Sequence, residues 1–165
     1  MCAKNSFWKF VAMLCSAFAI AATSLGAAAG DMHHHAHGVA AGTLDGDAGV
    51  RWATDAALRS GMAQIRTALE PAQQRIHEDK LPPRQYDALA ATVSQAVAAI
   101  VANCKLEPQA DAQLHVIIAD MLDGVEAMLG KAPKVKRQLG ALKVLDALDK
   151  YAAHFDHPGW QPLAD

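Results

Sequence analysis

Cysteine, aromatic side chains and basic surface are all scarce in this chain, and each shortage closes off a class of function. Of its 165 residues only 3 are cysteine, and 5% are aromatic. Cys2 and Cys15 fall in the N-terminal segment, which leaves Cys104 as the only thiol of the remainder. With one thiol there is no internal disulfide to form, and no Cys-x-x-Cys-His occurs to attach a c-type haem. The formal net charge is -2. Phosphate recognition needs a basic face, so nucleic acid is not an expected partner. Nothing alternates with a period of two, so no sheet is expected. Catalysis is not expected either, because Cys104 and His115, the one nucleophile–base pairing available, have no visible orienting group or oxyanion site.

What is present begins with an export pattern. Lys4 and Lys9 give a positive start, Phe10 to Leu25 is almost wholly apolar, and Ala27-Ala28-Ala29 supplies a small-x-small cleavage pattern before Gly30. The apolar run falls short of the roughly 20 residues a membrane span needs. Leu14 before Cys15 is too large for a lipoprotein signal. Residues 1–29 therefore read as a cleaved signal peptide, the mature chain as periplasmic, and no membrane association is expected after cleavage. Two lysines and no acidic residue leave with the signal, so the formal charge moves from -2 to -4.

Residues 30–51 read as a flexible, disordered, histidine-rich tail. His33, His34, His35 and His37 are followed by a Gly-, Ala- and Asp-rich run without helical or strand period. Such histidines can bind Cu(II), Ni(II) or Zn(II). Asp45-Gly-Asp-Ala-Gly opens like a calcium loop, but Ala56 stands where the bidentate carboxylate is needed.

Residues 52–165 carry four apolar stripes at helical spacing. The first helix is expected over 54–78, capped by Thr54, with Leu58, Met62, Ile65, Leu69, Ala72 and Ile76 inward and a kink at Pro71. The second spans 83–104 with Tyr86, Leu89, Val93, Val97, Ile100 and Cys104. The third spans 109–129 with Leu114, Ile117, Ile118, Met121, Leu122, Val125 and Met128, and Gly130 closes it. The fourth spans 133–155 with Leu142, Leu145, Leu148, Ala152 and Phe155. Short connections force neighbours antiparallel, so the expected fold is all-α, an up-down-up-down antiparallel four-helix bundle.

Antiparallel order gathers Met62, Cys104, His115, His154, His157 and the base of the tail at one end. A thiolate, a thioether and an imidazole near one point suit Cu(I). Cys104 and His115, with Met62 as third ligand, are the expected copper site, and His157 is free to reach it. His154 falls on the polar side of its helix. Met62 and His154 resemble the axial pair of the soluble b-type cytochrome four-helix bundles, which implies haem b as the alternative cofactor. A cofactor-free interaction or chaperone module is the third reading, and a homodimer or a periplasmic protein partner is compatible with all three.

Four further segments are Arg51-Trp-Ala-Thr-Asp, Ile100-Val-Ala-Asn-Cys-Lys-Leu, Ala110-Asp-Ala-Gln-Leu-His and Phe155-Asp-His-Pro-Gly-Trp. Through them the stretch Trp52 to Trp160 resembles a family of exported proteobacterial helical proteins, the DnrO-like proteins. That resemblance implies a periplasmic helical protein associated with metal stress, and it brings no catalytic residues.

Overall fold

In the computed structural model, which describes residues 51–163, the first helix starts one residue later than its expected cap. Thr54 Oγ1 donates to the Asp156 carbonyl at 2.6 Å and is not available for capping. Asp55 takes the role instead: its backbone is extended and its Oδ1 accepts the Leu58 N–H at 2.7 Å. Helix α1 then runs Ala56–Leu69 and buries Leu58, Met62, Ile65 and Leu69. At Pro71 the missing N–H prevents a continuous ladder, and Glu70–Ala72 tightens into a 3-10 turn before α2, Gln73–His77, resumes with Ile76 inward. The signal-peptide and histidine-tail expectations lie outside the described residues.

Helix α3, Pro83–Asn103, has proline at its first turn, where a lost N–H costs nothing. Tyr86, Ala90, Val93, Ala96, Val97 and Ile100 are buried, while Leu89 is only half-buried. The helix ends one residue short of the expectation, leaving Cys104 at its C-cap in extended conformation. Helix α4, Pro108–Met128, buries Leu114, Ile117, Ile118, Met121, Val125 and Met128. Leu122 departs from its expected inward position and is 42% exposed. Gly130, at φ 72°, forms the expected cap, with its N–H on the Ala127 carbonyl and the Lys131 N–H on that of Glu126.

The largest boundary correction is in the last helix. Helix α5 covers Arg137–His154, not 133–155, because Lys134 sits at φ 64° and Lys136 is extended. Arg137 reaches back to the Met128 carbonyl and pairs with Asp87, while Gln138 caps the Ile76 and His77 carbonyls. These contacts tie the start of α5 to the ends of α2 and α4 and to the start of α3.

Against the expectation of no sheet, β1, Trp52–Ala53, pairs in parallel with β2, Phe155–Asp156. Two residues per strand leave no readable alternation. After β2 the chain turns at Gly159, φ 80°, and lays Trp160 and Leu163 on the core, with Arg66 Nε donating to the Gln161 carbonyl. Helix α4 packs along α5, α1 along α3, and α3 along α4. The buried interior among the described residues is apolar. Tyr86 Oη and Trp160 Nε1 are inside without a hydrogen-bond partner. The described part is all-α apart from the two-residue strand pair.

Candidate functional site

Asp55 organises one end of the molecule. Its Oδ1 caps α1 and its Oδ2 accepts the Lys105 N–H at 2.6 Å, so the start of α1 and the end of α3 share one carboxylate. Burial alone would raise its pKa. The N–H groups of Leu58, Lys105 and Ala57, with the Arg59 charge, outweigh burial and hold the carboxyl below its ordinary range. Thr54 joins the same end to β2 through Asp156, and Arg59 donates to the Thr54 carbonyl.

Cys104 lies here, half-buried and packed on the core. Burial first, then the negative charges of Asp55 and Asp111 and a hydrogen bond to Asp55, push its thiol up to about 11. The thiolate is therefore disfavoured unless a cation accompanies it. The folded state favours the protonated thiol, so stability declines as pH rises from the ordinary thiol range towards 11. Alkylation of Cys104 at pH 8 is expected to run roughly a hundredfold slower than for a free thiol of ordinary pKa. Its rate should climb with pH up to about 11. Equal rates for folded and urea-unfolded protein at pH 8 would contradict this environment.

His115 stands on the outer face of α4, its side chain 63% exposed. Its Nδ1 is 2.8 Å from the Asp111 carbonyl, which can only accept, so the proton sits on Nδ1. The Nε2 lone pair is left open. Asp111 also contributes its negative charge to raising the pKa of the Cys104 thiol. The sequence reading passed over it, although its i,i+4 spacing to His115 on one helix was available as a signal.

The other expected ligands are placed differently. Met62 is wholly inside the core at 0% exposure, so the structure does not bring its thioether to the outward-facing His115. His154 is the last residue of α5 and half-buried. The haem pair is therefore a core thioether and a helix-end imidazole. Tyr151 and Phe155, stacked at 5.4 Å, fill apolar space at this end of α5. Burial raises the pKa of Tyr151, and its hydroxyl is hydrogen-bonded with His157 Nδ1 at 2.9 Å. Burial and then Arg59 lower the pKa of His157, against the opposing charge of Asp156. Trp160 packs on the His157 ring at 5.0 Å. His33, His34, His35 and His37 lie outside the described residues.

Among the described residues no group of three or more His, Cys, Asp or Glu is arranged to hold a metal ion. What the end offers is a proton-holding thiol and an exposed imidazole hydrogen-bonded to the Asp111 carbonyl. No family model, curated protein or solved structure matches the chain.

Proposed function

We propose that this chain is an exported, periplasmic metal-handling protein, an up-down-up-down antiparallel four-helix bundle that binds copper at the Cys104 end. In this reading the signal segment 1–29 is removed, Cys104 and His115 supply two ligands, and His33, His34, His35 and His37 form a separate, weaker site for divalent ions. The observation that carries it is the state of His115. A metal-binding imidazole donates its second N–H to a carbonyl or carboxylate, which orients the ring and raises the basicity of the other nitrogen. His115 already does this towards the Asp111 carbonyl. Cys104 adds a thiol whose proton a soft cation can replace, with Asp55 and Asp111 nearby to balance the charge.

Met62 as third ligand would require α1 to repack, because its side chain is wholly inside the core. The reading agrees with what the resemblance to the DnrO-like proteins implies.

The test is competition of the chain from Gly30 onward against a Cu(I) chelator under reducing conditions. One tight site is expected. In protein lacking residues 31–50, whose histidines would bind separately, Cys104→Ser should abolish it and His115→Ala should weaken it about tenfold or more. Met62→Leu should change little. If Cys104→Ser binds copper as well as the parent, the bundle is not a copper site and the cofactor-free interaction module is the reading left standing.

A further inference from the structure

We draw no further inference here: the strongest candidate, the outer face of α3, where Ala88, Ala91, Gln95, Ala98, Ala99 and Ala102 are exposed and uncharged, carries nothing because it is a stripe of small side chains and nothing in the structure shows what covers it.

Discussion

Gly140→Ala is expected to destabilise the protein by about 3 kcal/mol, despite replacing a helical glycine with the best helix former. A Cβ at Gly140 would meet the Gly124 carbonyl at 2.5 Å, Ala127 Cβ at 2.7 Å and the Met128 N at 2.7 Å. Two of those three atoms are backbone, so relief requires α4 and α5 to move apart. The intrinsic gain of about 1 kcal/mol for alanine over glycine in a helix does not offset this. Gly124→Ala should behave alike, its Cβ falling 2.6 Å from the Gly140 carbonyl. Gly61→Ala should also destabilise, its Cβ colliding with Cγ1 and Cδ1 of the buried Ile100, the latter at 2.7 Å, but these are side-chain atoms and no second backbone has to move. Its cost should be the smallest of the three, about 1–3 kcal/mol. Urea midpoints of the three variants test the order. A Gly140→Ala protein as stable as the parent would mean that α4 and α5 do not approach this closely.

Phe155→Ala should cost roughly 3–5 kcal/mol, the range for emptying a buried aromatic site. Phe155 is 1% exposed and stacks on Tyr151, while its backbone pairs with Trp52 across the strand pair. Removing the ring leaves a cavity under the segment that carries Trp160 and Leu163 and loosens the link between the two ends of the described chain. Leu122→Ala serves as the contrast. Leu122 belongs to the same class of apolar stripe residue by sequence, but its 42% exposure predicts a change within about 0.5 kcal/mol. Equal losses in the two variants would show that Leu122 is inside after all. Thermal unfolding of both proteins decides the point.

The helix count and most inward positions were legible because the signal is covalent and local. Leu58, Met62, Ile65 and Leu69 repeat at spacings of three and four, and a helix that buries one stripe must bury these. Gly130 as a cap was legible for the same reason, since one residue's freedom at positive φ decides it. The start of α5 was not. Pro133 offers a good first-turn residue, but Lys134 at φ 64° delays the helix to Arg137, where contacts to Met128, Asp87, Ile76 and His77 stabilise its first turn. Those partners are distant in sequence. The cap at Asp55 moved by one residue for a similar reason, because the Thr54 hydroxyl bonds to Asp156 a hundred and two positions away.

The candidate site divides along the same line. Sequence alone determined that Cys104 is the one thiol after Cys15, that it lies at the end of a helix, and that His115 lies two turns into the next. It also determined the apolar faces and hence the all-α class, since periodicity within one segment needs no partner to be read. Only the tertiary structure decided which way the candidates face. Packing against α3 and α5 closed Met62 into the core, while the Asp111 carbonyl took His115 Nδ1 and left Nε2 outward. It alone half-buried Cys104 and brought the charges of Asp55 and Asp111 to bear on it, which together raise the thiol's proton affinity. It also decided the close approach of α4 to α5 at Gly124 and Gly140. Electrostatic and steric terms of this kind depend on distance through space, and distance between residues far apart in the chain exists only once the helices have packed.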